Sequence, residues 1–173
     1  MNSMFADYHA QIGGAIHANS IEAVMEIELS HVTITGNIAN TRGGAIASEG
    51  ETLGLRVVNS IIWGNSAPVD PEVYTLAHRA NVLASVVAGG CVTYNMRCVQ
   101  LSSDDPLLAG LENTGGYTPA FVPGVGGSAI DTAFAPYCAS HDQRGVPRPS
   151  GSACDRGAVE STETVFRSGF ESE

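Results

Sequence analysis

MEIELSHVTITGN at residues 25–37 and LGLRVVNSIIWGN at residues 53–65 are two copies of one pattern, repeating at an offset of about 28 residues. The alignment matches Met25 to Leu53, Ile27 to Leu55, Leu29 to Val57 and Ile34 to Ile62, and it matches Gly36-Asn37 to Gly64-Asn65. GGAI at 13–16 returns at 43–46. In a weaker third copy at 80–90, Val82, Val87 and Gly89 answer Val57, Ile62 and Gly64. Within a copy the apolar residues alternate as Met25, Ile27, Leu29, and then the parity shifts so that Val32 and Ile34 carry the next alternation. Two short strands therefore meet at a bend near Ser30-His31, and the second copy breaks in the same way at Asn59-Ser60. Short strands joined by bends at such a period predict coils of a parallel β-helix, each stacked on the last at about 4.8 Å with columns of aligned side chains inside. About four coils are expected, the first incomplete. The competing arrangement is an antiparallel sandwich. Asn37 and Asn65, at matched corners, are expected to stack as a hydrogen-bonded ladder, since glycine and asparagine tolerate the positive φ of such corners.

Composition agrees with an all-β chain of ordinary domain size. Of 173 residues 43% are apolar, 15% are charged and 20 are glycine, a turn-former excess that disfavours a helical bundle. All eight basic residues are arginine, which excludes a P-loop lysine, a Schiff-base lysine and a lysine general base. The formal charge of −10 repels nucleic acid and anionic membrane surfaces, and no apolar run approaches the length of a spanning helix. Neither nucleic acid nor a membrane span is therefore expected. The N-terminal MNSMFADYHAQIGG lacks the regions of a signal peptide.

The four cysteines are spaced C-x6-C and C-x15-C, which fits neither a zinc ribbon nor a C-x-x-C redox pair and points to two disulfides. Three connectivities are open. Local pairing, Cys91 with Cys98 and Cys138 with Cys154, keeps each bridge within one segment. Disulfides imply export, so residue 1 is expected to lie inside a longer protein whose export signal is upstream. The first coil would then have an open edge through which the isolated chain is expected to associate. A boundary falls near 104, beyond which proline and glycine dominate (DDPLLAGLENTGGYTPAFVPGVGGSAIDTAF) and the coil pattern stops. Residues 1–103 are read as coils, 104–161 as a C-terminal cap over the last coil, and 162–173 as a tail.

DDPLL at 104–108, NTGGYTP at 113–119, PGVGGSAIDTA at 123–133 and CASHDQRGVPRPSGSACDRGAVES at 138–161 follow in the order and spacing of choice-of-anchor Q domains, which this part of the chain resembles. SIIWGN and GGAI resemble the right-handed parallel β-helix repeats found upstream of such domains. The resemblance implies a right-handed, pectin-lyase-like solenoid on a bacterial cell surface, and it makes His141-Asp142-Gln143-Arg144 a structural turn of the cap. Arg144 would pair with Asp155 across the Cys138/Cys154 bridge, giving Asp142, Arg144 and Asp155 structural roles. Val159 departs from the aromatic usual in a GAYE-like ending. VFRSGFESE resembles a short phrase ending exported proteins of some Gram-negative bacteria, which makes 162–173 a candidate sorting signal.

Catalysis has few candidates. Glu26 and Glu28 alternate outward beside Met25 and Ile27 and offer a cation two carboxylates, but Arg56 matches Glu28 one coil on, and a surface ion pair is the expected arrangement. No metal or other cofactor is expected, and calcium lacks a supporting ligand set. His141-Asp142-Gln143-Arg144 holds a base, an acid and a cation within one turn; its structural reading takes precedence over catalysis. Asp104-Asp105 before Pro106 reads as a turn starter. GVGGSA at 124–129 matches a dinucleotide fingerprint without a surrounding βαβ unit. His9, His17, His31 and His78 lack metal-ligand spacing. Tyr8, Tyr74, Trp63 and Tyr94 would form a sugar-stacking platform if they lined one face, with Trp63 the residue to watch. The expected function is a non-catalytic structural or adhesive part of an exported surface protein that contacts a glycan or a partner protein. The alternative is the scaffold of a polysaccharide lyase or glycoside hydrolase whose catalytic coils lie upstream.

Overall fold

The computed structural model describes residues 2–20, 22, 24–50, 52–77, 79–91 and 96–162. Among these the regular structure is all strand apart from one 3-10 turn, Ala135–Tyr137. The first sheet joins β1 (Ser3–Ala6), β5 (Val32–Thr35), β9 (Ile61–Trp63) and β12 (Val86–Val87); the second joins β2 (His9–Ile12) and β6 (Ile38–Arg42). In the third, β7 (Ile46–Glu49) lies between β3 (Ile16–Asn19) and β10 (Val73–Thr75). The fourth runs β4 (Met25–Ser30), β8 (Leu53–Val58), β11 (Arg79–Leu83), β13 (Met96–Val99). Every ladder is parallel, which excludes the antiparallel sandwich. The chain visits the sheets in a fixed order and then returns to the first, so each circuit lies on the one before.

Hydrophobic patterning sets the register. Met25 pairs with Leu53, Ile27 with Leu55, Leu29 with Val57 and Ile34 with Ile62; the next circuit adds Val57 with Val82 and Ile62 with Val87. Leu29, Ile34, Val57, Ile62, Val82 and Val87 belong to one buried core, and burying each such side chain contributes about 1.5–3 kcal/mol. A one-residue slip would turn the whole set outward. The bend between the fourth and first sheets falls at His31, Asn59 and Ala84, all at positive φ (51°, 48° and 44°), which is what shifts the inward parity there.

Residues 104–161 carry little regular structure, and their contacts run along the flank of the stack. Thr33, Ile61 and Val86 are register partners that point outward from the first sheet. The Ala158 N–H donates to Thr33 Oγ1, the Gly157 N–H to the Asn59 carbonyl, and Ala129 and Leu108 pack on Ile61 and Val86. Asn2 of the first circuit donates to the His141 carbonyl, while Arg156 donates to the Ser85 and Gln100 carbonyls of the last circuits. The segment therefore runs along an apolar sheet face, with contacts to the first circuit and to the last. Disulfides join Cys91 to Cys98 and Cys138 to Cys154.

Candidate functional site

The outer face of the fourth sheet is an open polar surface of the stack. Glu28, Arg56, Asn81 and Arg97 are successive register partners across its four strands, and Glu26, Gly54 and Arg79 form a parallel row. Alternation puts Leu29, Val57 and Val82 inside and these residues outside. Phe134 and Tyr137, from the 3-10 turn, wall the face on one side with ring centroids 5.8 Å apart. A cleft of about 500 Å³ is lined by Arg56, Asn81, Arg97, Phe134 and Tyr137, and a second of about 460 Å³ by Met25, Thr52, Gly54 and Arg79. Glu26 and Asn81 line both, so the two adjoin.

The ion pair anticipated between Glu28 and Arg56 does not form, although the two are register partners. The Arg56 guanidinium lies over the Tyr137 ring instead, 4.7 Å from its centroid. Glu28 is exposed, and a solvated carboxylate offers about 0–1 kcal/mol, no more than the face of a ring. The wall is anchored at the left-handed bend. The Phe134 N–H donates to Asn59 Oδ1 at 2.7 Å, and Asn59 Nδ2 donates back to the Phe134 carbonyl at 3.2 Å. His31 is fully buried and its Nε2 accepts from the Ala139 N–H. Burial, helped by the charge of Arg148, lowers its pKa to about 4, so it stays neutral. The sequence signal for this role was the equivalence of His31 and Asn59 at one corner of two copies.

The cluster of catalytic composition is used internally. Burial pushes the Asp142 carboxyl up, but N–H groups of Glu160, Val146 and Arg144 and the Arg144 side chain hold it below the usual range. Arg144 Nε donates to Asp142 Oδ2 at 2.9 Å, and its Nη2 to the Glu160 carbonyl. The expected Arg144–Asp155 pair is therefore absent: Arg144 is held by the turn it closes with Asp142, and the Asp155 carboxylate accepts the N–H groups of Asp131 and Ser161. Arg148 and Glu160 were not singled out from the sequence, yet they form the buried ion pair, at 2.8 Å with both side chains at 0% exposure. Arg148 also donates to the Asp155 and Gly157 carbonyls. A lone arginine among prolines, as at Arg148, carries no periodic signal of burial. Val159 is buried beside Ala120 and Ala158.

The other candidates disperse. Trp63 is half-buried at the end of β9 and packs with Leu108 against Ile61 and Val86. Tyr74 sits in the third sheet beneath Arg42, 5.2 Å from its guanidinium, and Tyr8 lies between β1 and β2. These aromatics occupy different sheets and make no shared platform; Tyr94 and His78 lie outside the described residues, as does the tail from 163. His17 meets Glu49 at 3.2 Å and His9 meets Asn40 at 3.1 Å. Asp105 Oδ1 accepts the Leu107 N–H. GVGGSA turns back on itself through Gly127 N–H to the Gly124 carbonyl, and among the described residues no α-helix follows it. Among the described residues no three His, Cys, Asp or Glu side chains converge as a metal site, and no helix is long and apolar enough to cross a membrane.

Asn37 and Asn65 lie one above the other inside the corner: Asn37 Nδ2 donates to Asn65 Oδ1 at 2.8 Å, and Asn65 Nδ2 donates on to Glu72 Oε2 at 2.6 Å. Burial raises the Glu72 pKa to about 7, against the opposing bonds from Asn65. The folded state thus holds this proton more tightly than the unfolded state, and stability is lost as pH rises from about 4.5 to about 7. Relative to Glu72→Gln, the wild type is expected to lose about 3 kcal/mol of unfolding free energy across that window, read by urea titrations at several pH values. A pH-independent difference between the two would contradict the assignment.

Comparison with protein-family models, with curated proteins and with solved structures finds no match for the chain.

Proposed function

We propose that the chain forms coils and a C-terminal flank segment of a right-handed parallel β-helix, a pectin-lyase-like solenoid, in an exported bacterial surface protein of the choice-of-anchor Q kind. Its role is structural or adhesive: a rigid stack that presents one polar face to a glycan or a partner protein, without catalysis. The observation carrying this reading is that the buried carboxylates, Glu72, Asp142, Asp155 and Glu160, are committed to internal N–H, amide and guanidinium donors. The two disulfides support an extracellular setting. The right hand of the coil, the surface location and the sorting role of residues 162–173 rest on the sequence resemblance.

The test is turnover. Disulfide-intact protein, with and without calcium, is expected to release neither reducing sugar nor unsaturated uronate from polyuronates. Release that depends on Glu26 or Glu28 would replace this reading with the polysaccharide lyase or hydrolase.

A further inference from the structure

The arginines of this acidic chain are divided unequally. Arg42 pairs with Glu49, Arg144 with Asp142 and Arg148 with Glu160, and Arg156 donates to three carbonyls. Arg56, Arg79 and Arg97 stand together on the outer face of the fourth sheet, and among the described residues none has a carboxylate within ion-pair distance. With formal charge −10, carboxylates were plentiful, yet this face gathers guanidinium groups with open donors. From this we infer that the face binds an anionic glycan chain through Arg56, Asn81, Arg97 and Arg79; the inference deepens the adhesive reading and rests on it.

Geometry selects the ligand. Arg56 and Arg97 are two strands apart, about 10 Å at the parallel-sheet spacing, comparable to the length of a disaccharide. Guanidinium forks at that interval meet carboxylates or sulfates carried on alternate sugars with bidentate, charge-assisted bonds. Asn81, between them, is exposed and supplies both a donor and an acceptor for a hydroxyl. Phe134 and Tyr137 offer apolar surface to the C–H face of a sugar ring, and the Arg56 stack on Tyr137 holds its guanidinium in place before binding. Glu26 and Glu28 are exposed on the β4 edge, so the anionic groups belong over β8, β11 and β13, with Glu26 left to accept from hydroxyls. The cleft at Arg56, Asn81 and Arg97 itself spans β8, β11 and β13, the direction in which a polymer would meet the arginine column. An acidic peptide would satisfy the arginines but would make less use of the aromatic wall.

The test is affinity electrophoresis at low ionic strength, where surface charges are least screened, in gels containing polygalacturonate, dextran sulfate, neutral dextran or poly-L-glutamate. The 173-residue chain is expected to be retarded by one or both anionic glycans and not by dextran. Polygalacturonate against dextran sulfate separates a carboxylate from a sulfate ligand. Arg56→Ala and Arg97→Ala are each expected to weaken binding by roughly tenfold; thermal unfolding is expected to be unchanged for Arg97→Ala and lowered slightly for Arg56→Ala, which also loses its stack on Tyr137. Arg42→Ala removes the same charge from another face and is expected to bind as the wild type does. Equal weakening by Arg42→Ala and Arg97→Ala would reduce the effect to net charge and overturn the site. Retardation by poly-L-glutamate as strong as by the glycans would overturn the glycan assignment in favour of a protein. No retardation in any gel would overturn the inference while leaving the scaffold reading standing; turnover of a bound polyuronate would overturn the non-catalytic reading and leave the site.

Discussion

Replacing Glu160 with alanine is expected to destabilise the chain by about 3–5 kcal/mol, the cost of leaving a buried charge without its partner. Glu160 Oε2 accepts from Arg148 Nη1 at 2.8 Å and from the Asp155 N–H at 3.0 Å, and Oε1 accepts from the Ser150 N–H at 2.8 Å. Burial lowers the Arg148 pKa, and the charges of Glu160, Asp142 and Asp155 offset this only in part. Without Glu160 the guanidinium stays in a site of 0% exposure with its nearest counter-charge gone, and two backbone donors lose their acceptor. The double replacement Arg148→Met, Glu160→Leu is expected to recover part of the loss, since an apolar pair removes both charges together. It leaves the Asp155 and Gly157 carbonyls short of a donor, so recovery is incomplete. Urea titrations with unchanged m-values check this; a loss below about 1 kcal/mol for Glu160→Ala would show that the flank segment is not held by this pair.

Gly44→Ala carries an effect of similar size through sterics. A Cβ there would lie 2.4 Å from the Pro71 carbonyl oxygen and 2.6 Å from both N and O of Ser66. All three are backbone atoms of the next circuit, so no side-chain rotation relieves the clash, and the two circuits must part. A loss of about 3 kcal/mol or more is expected, with failure to fold at the upper end. Gly89→Ala is the control: Gly89 has φ of +72° but nothing within 4 Å of its added Cβ, so only the left-handed conformation is penalised, at about 1–2 kcal/mol. Thermal unfolding of the two variants side by side separates them. Equal losses would mean that stacked circuits do not approach as closely at Gly44 as described.

The stack was legible in the sequence because one physical rule, apolar alternation with a parity shift, recurs at a fixed offset. Aligning Met25 with Leu53 or Ile34 with Ile62 amounts to writing the parallel register, since only equivalent inward residues keep the core column dry. The shortening of the final circuit, which pairs Val82 with Cys98, was not legible, because that spacing breaks the offset that links Val57 to Val82. The position of residues 104–161 was hidden for a different reason. Their cohesion comes from side-chain-to-backbone bonds between distant residues, such as Asn2 to His141 and Phe134 to Asn59, and such bonds leave no period. The same holds at the candidate site: the row Glu28, Arg56, Asn81, Arg97 is implied by register, while Tyr137, which takes Arg56 from Glu28, arrives from the irregular segment.

Everything proposed for the arginine face depends on the parallel register that brings Arg56, Asn81 and Arg97 into one row. The most direct test is a three-dimensional NOESY spectrum on protein with labelled Ile, Leu and Val methyl groups. Cross-peaks are expected linking Leu29 to Val57, Val57 to Val82, Ile34 to Ile62 and Ile62 to Val87, with no antiparallel Hα–Hα contacts between consecutive strands of residues 25–87. Strong Hα–Hα contacts across Ser30-His31 or Asn59-Ser60, with the stacked methyl contacts missing, would mean that hairpins have replaced the stack and would contradict the account.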